Sequence, residues 1–341
     1  MIDAMMLELQ QDQLLGNEKI ETIYFGGGTP SLLTPAELNR FLRCLDEKYE
    51  VGAACEITLE TNPDDITNEK LESWIDAGVN RLSIGVQSFQ EEDLKLMNRA
   101  HSAKEGLQAI ENAKAQGISN ISIDLMYGLP SLSDAQWKEN LLQFIDLDLP
   151  HLSAYNLTLE EQSALPKMIE LGKSAPLEED KNVRQFELLM ELLSDQGYEQ
   201  YELSNFAKEN LYSRHNSAYW SGKNYLGIGP SAHSYVQGIR AHNVAHNSKY
   251  ITSMLSGEHQ RVIEELSVEE QFNEYILVNL RRSAGIKLPA VKLKFPDYYN
   301  DFLLRVKAEI ENQLLQKKAD YIVLSPSGKL LADQITMRLF A

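Results

Sequence analysis

Short apolar runs alternate with amphipathic stretches of helical spacing through the first two thirds of the chain. The apolar runs are too short for ordinary helices, and Gly, Pro, Asn or Asp residues bound them. Such alternation is typical of parallel β/α units. It predicts at least five parallel strands, at residues 22–28, 56–62, 81–88, 121–128 and 151–159.

The helix starts between these strands carry capping boxes, in which the first side chain accepts from a free helical amide and the fourth reaches back. Three segments have this spacing: residues 34–37, 102–105 and 133–136. Gly78, Gly117 and Gly197 stand where a left-handed residue would end each preceding helix. These residues predict where the helices begin and end.

The pattern changes after about residue 206, where a stretch rich in Gly, Asn and Tyr is followed by a mostly helical run. The 341 residues also exceed the size at which one hydrophobic core usually stops growing. We therefore expect a large β/α domain over residues 1–205 and a smaller domain over residues 206–341.

The composition argues against several kinds of partner. The formal net charge is -18, from 50 acidic and 32 basic residues, and no basic patch is evident, so we expect no nucleic acid partner. No run approaches the roughly 18 apolar residues of a membrane helix. The N-terminus lacks the features of a signal peptide. We expect a cytoplasmic protein that is not an integral membrane protein.

Ligands of parallel β/α sheets bind where strands end and loops begin. Glycines and polar side chains occupy these places: Gly27, Gly28, Thr29, Glu60, Gln87, Asp124 and Thr158. Arg99 follows the third predicted strand and has the planar fork that binds carboxylates. Carboxylates among apolar residues are costly to bury unless they are paired or bound. The set predicts a pocket for a small ligand; the alternative, that each residue merely caps a loop, needs a separate reason for every strand.

Six runs carry a resemblance to a known family: TIYFGGGTPSLL, LETNPDD, RLSIGVQSF, LMNRAHS, IDLMYGLP and HLSAYNLTLE. In this order and spacing they resemble the radical S-adenosylmethionine (SAM) proteins that handle porphyrins, which include oxygen-independent coproporphyrinogen III oxidase and the heme chaperone HemW. The resemblance covers nearly the whole chain. It implies an α/β fold with a partial TIM-like (β/α) barrel, here lacking its first strand, and a smaller, mainly helical C-terminal domain.

The resemblance also implies a role for each residue at the strand ends. By this resemblance, Gly27, Gly28 and Thr29 would line the methionyl end of SAM, and Arg99 would face its carboxylate. Glu60, Gln87 and Asp124 would bind its amino and ribose groups, and Thr158 would lie near its adenine.

The segment HNSAYW fits the HNxxYW pattern of the chaperone branch of this family, through His215, Asn216, Tyr219 and Trp220. Imidazole is a common axial ligand of heme iron, and aromatic rings can stack on a macrocycle. From the residues alone, a loop histidine beside two aromatic residues is a packed structural residue. The resemblance implies heme contact instead.

The family holds a [4Fe-4S] cluster with a CxxxCxxC motif, and this sequence has only Cys44 and Cys55. Their spacing fits neither that motif nor a disulfide framework, so we predict no metal ligands and interpret both as small buried side chains. Two explanations stay open: a start set at an internal methionine, which we favour, or a genuine loss of the cluster. Without its first strand, the barrel would expose the strand at residues 22–28 and favour self-association.

The function that the resemblance implies is a HemW-like heme chaperone that delivers heme to a respiratory acceptor. One alternative is an oxygen-independent coproporphyrinogen III oxidase in porphyrin biosynthesis. Another is a scaffold without a cluster that binds ligands but performs no radical chemistry.

Overall fold

The computed structural model describes residues 1–159 and 164–341. Glu160, the last residue of the run HLSAYNLTLE, lies outside the described residues. The strands are β1 Ile20–Phe25, β2 Val51–Thr61, β3 Arg81–Gln87, β4 Ile121–Tyr127, β5 His151–Asn156, β6 Tyr198–Glu202, β7 Asn205–Lys208, β8 His233–Val236, β9 Ile239–Asn243, β10 Arg261–Glu264, β11 Ile286–Lys287, β12 Leu315–Lys318 and β13 Tyr321–Leu324. The helices are α1 Ile2–Gln11, α2 Pro35–Lys48, α3 Asn68–Asp76, α4 Glu91–Leu96, α5 Ala103–Ala115, α6 Asp134–Asp146, α7 Ala164–Glu170, α8 Glu179–Asp195, α9 Arg214–Ser221, α10 Asn247–Ser256, α11 Val268–Leu280, α12 Leu288–Lys294, α13 Pro296–Glu311, α14 Pro326–Leu330 and α15 Ala332–Leu339.

A seven-stranded sheet with the order β1-β2-β3-β4-β5-β7-β6 carries the predicted strands. Strands β2 to β5 are parallel, whereas β7 and β6 add antiparallel strands beyond β5. The registers pair Glu60 with Ser83 and Asp124 with Ser153. Paired residues of neighbouring strands point to the same face of a sheet, so this register brings the predicted polar residues to one face.

The predicted capping boxes are confirmed. Thr34, Ser102 and Ser133 each accept from the backbone amide three residues later, and the Glu or Gln at that position bonds back to the capping residue. Gly78 and Gly117 follow α3 and α5 with φ angles of 102° and 90°, which favour glycine. Local sequence therefore fixes these helix boundaries.

The chain divides into two compact units. One comprises Met1–Ile23, Leu33–Cys55 and Arg214–Ala341, and the other comprises Tyr24–Leu32 and Glu56–Ser213. Two three-stranded antiparallel sheets, β10-β9-β8 and β11-β13-β12, accompany the helices after Arg214. The domain boundary expected at residues 205 and 206 stays a prediction. Among residues 1–159 and 164–341, no helix has the length and apolar character that crossing a membrane requires.

Helix α1 is anchored through Glu8, whose side chain is completely buried. Its carboxylate accepts from the amide of Gly229 at 2.8 Å, from Asn243 Nδ2 at 2.6 Å and from Arg261 Nη2 at 2.9 Å. The hydroxyl of Tyr250 donates to the same carboxylate. A buried carboxylate is tolerated when it is paired and fully hydrogen-bonded, so Glu8 joins the first helix to residues more than 200 positions later.

Glu8→Ala should lower the free energy of unfolding by about 3 to 5 kcal/mol, because it removes one of the two carboxylates paired with Arg261 and leaves the buried Asn243 and Tyr250 without their acceptor. Gln10→Ala, at an exposed position of the same helix, should change that free energy by less than about 0.5 kcal/mol. Urea unfolding of both variants measures the difference. A loss below about 1 kcal/mol for Glu8→Ala would contradict the anchoring role.

Candidate functional site

The carboxylate of Glu60, near the end of β2, is held through both of its oxygens. The hydroxyl of Tyr24 on β1 donates to Oε1 at 2.6 Å, and the backbone amide of Gly27 donates to Oε2 at 3.1 Å. Gly27 has a φ of 75°, which lets the loop after β1 turn its amide toward Glu60. The first two strands therefore end in one hydrogen-bonded cluster.

Gly26 packs so tightly in this cluster that no side chain fits there. A Cβ atom at residue 26 would lie 2.6 Å from Cε1 of Tyr24 and 2.9 Å from Cδ of Glu60. These distances are far inside van der Waals contact. The absence of a side chain at Gly26 is thus what allows Tyr24 and Glu60 to meet.

Gly26→Ala should therefore lower the free energy of unfolding by about 1 to 3 kcal/mol, because the added methyl group forces Tyr24 and Glu60 apart. Gly106→Ala on α5 is the matched control, since its Cβ would meet Cγ1 of Val86 at an ordinary 3.6 Å. The control should be neutral or stabilising by about 0.5 to 1 kcal/mol, as is usual for glycine to alanine within a helix. Equal urea midpoints for the two variants would show that Gly26 has room for a side chain.

Arg99 lies between α4 and α5 and joins the ends of β2 and β3. Its Nη2 donates to Oδ1 of Asn62 at 2.7 Å and to the carbonyl oxygen of Gly85 at 3.0 Å. The side chain of Gln87 lies close to Gly85, because a Cβ atom at residue 85 would be 3.0 Å from Nε2 of Gln87. The backbone of Gln87 is in the left-handed region, with a φ of 68°. Nη1 and Nε of Arg99 have no hydrogen-bond partner among the described residues, so the guanidinium is fixed while three of its five N–H donors remain available.

Asp124 stands in the middle of β4, beside Ser153 of β5. Burial and the charge of Glu60 raise the pKa of its carboxyl, whereas the hydroxyl of Ser153 and the charges of Arg81 and Arg99 lower it, with a net value of about 7. Near neutral pH this carboxyl is therefore poised between its two protonation states. An additional cation near Asp124 would favour the ionised form.

The structure thus places Gly27, Glu60, Gln87, Arg99 and Asp124 along the ends and the face of one sheet. Gly28 and Thr29 continue the exposed loop after β1. Thr158 is exposed in the segment after β5, and no contact among the described residues links it to the cluster. Which ligand these residues hold stays a prediction.

Sequence reasoning missed two buried polar residues on the same face, Arg81 and His151. Each begins a strand and is almost fully buried. His151 lies with Nδ1 2.7 Å from the hydroxyl of Ser122 and Nε2 2.8 Å from the hydroxyl of Tyr201. Burial holds the pKa of His151 well below its usual range, so its imidazole is neutral. Both are the first residue of a strand, a place where a charged or polar side chain is common, so the sequence carries little signal of their burial.

The segment HNSAYW forms α9 and not the loop that the sequence predicted. The spacing of four residues then pairs its side chains: the rings of His215 and Tyr219 meet edge to face with centroids 5.2 Å apart, and Nε1 of Trp220 donates to Oδ1 of Asn216 at 3.1 Å. Nδ1 of His215 lies 2.8 Å from Oγ1 of Thr22 on β1. The helix thus holds the four residues as two packed pairs.

Further aromatic and cationic groups extend this cluster on α9. The ring of Tyr225 lies 4.3 Å from that of Tyr219, which is 41% exposed, and the guanidinium of Arg281 lies 5.6 Å from the ring of Trp220. The exposed part of Tyr219 leaves aromatic surface that a flat ligand can contact. A cation over the indole of Trp220 could also attract an anionic group.

The two cysteines belong to different elements, Cys44 to α2 and Cys55 to β2, and both are buried. Burial raises the pKa of the Cys44 thiol, which disfavours the thiolate that iron requires. Among residues 1–159 and 164–341, no group of three or more His, Cys, Asp or Glu side chains is arranged to hold a metal ion.

Comparisons with known proteins agree with this architecture. Residues 5–144 match the Radical SAM superfamily. The heme chaperone HemW of Lactococcus lactis is 34% identical over 336 residues, which cover 98% of this chain and 87% of that protein. The heme chaperone HemW of Bacillus subtilis is 32% identical over 346 residues, which cover 98% of this chain and 90% of the relative.

The solved structure of coproporphyrinogen III oxidase (HemN) from Escherichia coli, a radical SAM enzyme, superposes with a TM-score of 0.83. The superposition covers 100% of this chain and 82% of the enzyme, at 22% sequence identity. It confirms the predicted α/β fold, a radical SAM partial barrel with a mainly helical C-terminal region. Together with the identity to relatives over nearly their whole length, these findings show that the chain belongs to the HemW family of radical SAM proteins.

Proposed function

We propose that this chain binds heme through α9, binds SAM at the strand ends of its sheet, and delivers the heme to a respiratory acceptor. The observation that carries the proposal is the His215 and Tyr219 pair on α9, in a chain that belongs to the HemW family. The likeness to the coproporphyrinogen oxidase, at 22% identity, supports the fold alone and does not favour oxidase activity.

The heme part of the proposal rests on the chemistry of α9. The contact between Nδ1 of His215 and Thr22 fixes the orientation of the ring, and the imidazole of His215 would coordinate heme iron. Tyr219 and Trp220 would offer aromatic surface to the macrocycle, and Asn216 would hold the indole of Trp220 in place. Arg281 would attract a heme propionate.

The residues at the strand ends fit SAM. SAM carries a carboxylate, an ammonium group, a sulfonium centre and ribose hydroxyls, so it needs one anion-binding fork and several acceptors. Arg99 has unused donors for the carboxylate, and Glu60 and Asp124 offer acceptors for the ammonium group and the ribose. Gln87 would add an amide, Gly27, Gly28 and Thr29 would line the methionyl end, and Thr158 would approach the adenine.

Radical SAM family membership also implies a [4Fe-4S] cluster, and the residues of this chain do not fit one. Such a cluster is held by cysteine thiolates, and the two cysteines are buried on separate elements. The proposed heme and SAM sites do not depend on either thiol. Self-association through β1, which lies at an edge of the seven-stranded sheet, is a further part of the proposal.

Heme titration followed by a transfer assay tests the proposed function. The purified chain should shift the Soret band of heme with a 1:1 end point, and the bound heme should pass to respiratory membranes that have been depleted of heme. No Soret shift would overturn the heme-binding part, and heme retained in the presence of acceptor membranes would overturn delivery. Release of carbon dioxide from coproporphyrinogen III would instead establish the oxidase.

A further inference from the structure

Arg81 begins β3 and is only 2% exposed. It stands two residues before Ser83, which pairs with Glu60 on β2 and with Ser122 on β4. Side chains two residues apart on a strand share a face, as do paired residues of neighbouring strands. Arg81 therefore lies on the face that carries Glu60 and Asp124, the two carboxylates of the proposed SAM site.

The guanidinium of Arg81 is not fully hydrogen-bonded. Its Nε is buried and has no hydrogen-bond partner among the described residues. Burying a charged donor without a partner is costly, and such groups recur where a protein uses their charge. Packing alone therefore does not explain why a charged side chain is buried at residue 81.

The charge of Arg81 acts on several groups in the interior of the sheet. It lowers the pKa of Asp124 and of the Tyr24 hydroxyl, and together with burial it lowers the pKa of His151. Because His151 is neutral, its imidazole adds no second positive charge. The positive charge of Arg81 thus counteracts the increase in the pKa of Asp124 that burial causes.

The groups that face Asp124 come from several elements. They are Tyr24 on β1, Glu60 on β2, Arg81 on β3, Ser153 and Tyr155 on β5, and Arg99 between α4 and α5; Glu202 on β6 acts on Tyr155. Two arginines therefore stand against the carboxylates of Glu60 and Asp124. Arg99 presents its remaining donors for a ligand carboxylate, which would offset its charge. By contrast, no group of the bound ligand would neutralise the charge of Arg81.

We propose that Arg81 is a positioning residue that acts through Asp124: its buried charge favours the ionised form of this carboxylate, which can accept from bound SAM. The inference rests on the proposed SAM site. Two neighbouring carboxylates in a buried site repel each other, and one of them tends to take up a proton. A protonated Asp124 would lose acceptor capacity toward the ammonium group or ribose of the ligand.

The first test measures the Asp124 carboxyl directly, by titration of ¹³Cγ-labelled aspartate, with Asp124→Asn used to assign its signal. Arg81→Gln should raise the pKa of Asp124 by about 1 unit, and Arg81→Lys, which keeps the charge, should shift it by less than about 0.5 unit. An unchanged titration in Arg81→Gln would overturn the inference. This arm requires no ligand, so its outcome is independent of the proposed function.

The second test measures the affinity for SAM by calorimetry between pH 6 and pH 9. If only the ionised carboxylate binds, a shift of one unit makes Arg81→Gln weaker than wild type by about 10-fold at pH 6 and about 5-fold at pH 7, with convergence by pH 9. A purely structural role would weaken binding equally at every pH, which would sink the proposal. A wild-type chain that binds no SAM at any pH would overturn the proposed SAM site instead.

A double substitution tests the inference even if Arg81→Gln fails to fold. If Arg81→Gln is unstable because it leaves Asp124 unbalanced, adding Asp124→Asn should restore much of the lost stability, since both charges are then gone. A double variant as unstable as Arg81→Gln alone would overturn the coupling between the two residues.

Discussion

Arg99→Met is expected to weaken the binding of SAM by about 100-fold. The methionine keeps much of the length of the side chain but removes the fork that would receive the ligand carboxylate. A hydrogen bond to a charged group is worth about 1.5 to 3 kcal/mol, and losing about 3 kcal/mol corresponds to roughly 100-fold in the dissociation constant. Because Asn62 and the Gly85 carbonyl already fix Nη2, wild-type Arg99 binds without first ordering its side chain.

Calorimetric titration with SAM measures this loss, and Arg184→Met is its matched control. Arg184 lies on α8 and forms an exposed ion pair with Asp134, so it contacts none of the proposed SAM-binding residues. The control should retain wild-type affinity, and a thermal melt of each variant verifies folding. If Arg99→Met bound SAM within about three-fold of the control, Arg99 would not face the ligand carboxylate.

His215→Ala is expected to abolish the Soret shift on heme titration, because it removes the proposed iron ligand and its edge contact with Tyr219. His101 and His151 cannot replace it, since both are almost fully buried and bond through ring nitrogens to neighbouring protein groups. Thr22→Val should weaken heme binding by about 10-fold or more, as is usual when the group that orients a ligating histidine is lost.

Absorbance titration with heme distinguishes these outcomes, and His246→Ala is the control. His246 is an exposed histidine that caps α10, so its loss should leave the Soret shift intact. A normal Soret shift for His215→Ala would show that heme binds at a site other than His215. A normal shift in Thr22→Val together with a lost shift in His215→Ala would leave the imidazole as the ligand but remove the orienting role of Thr22.

Local signals predicted the first half of the fold well. The capping boxes at Thr34, Ser102 and Ser133 depend on atoms three residues apart, so sequence alone determines them. The extension of β2 back to Val51 was missed because Gly52 is a weak strand former. There the amide of Ile20 bonds the carbonyl of Glu50, an interaction between residues 30 positions apart that local patterns do not reveal.

The candidate site could be predicted only in part, for reasons that are equally physical. Glu60 and Asp124 were recognisable because a carboxylate within an apolar run needs a partner. Arg81 was overlooked because its place at the start of β3 looks like an ordinary charged strand end. The sequence favours a loop for HNSAYW because its helical pairing joins one polar and one aromatic residue at each step and presents no apolar stripe.

The burial of Glu8 also bears on the order in which the chain folds during synthesis. Arg261, one of its partners, follows it by 253 residues. At about 5 to 20 residues per second, this separation means that α1 waits roughly 13 to 50 s on the ribosome before its carboxylate can be satisfied. The unit that contains most of residues 56–213 can fold during that interval. The unit that begins the chain is thus the last to be completed, and its first helix is a natural client for chaperones that shield nascent segments.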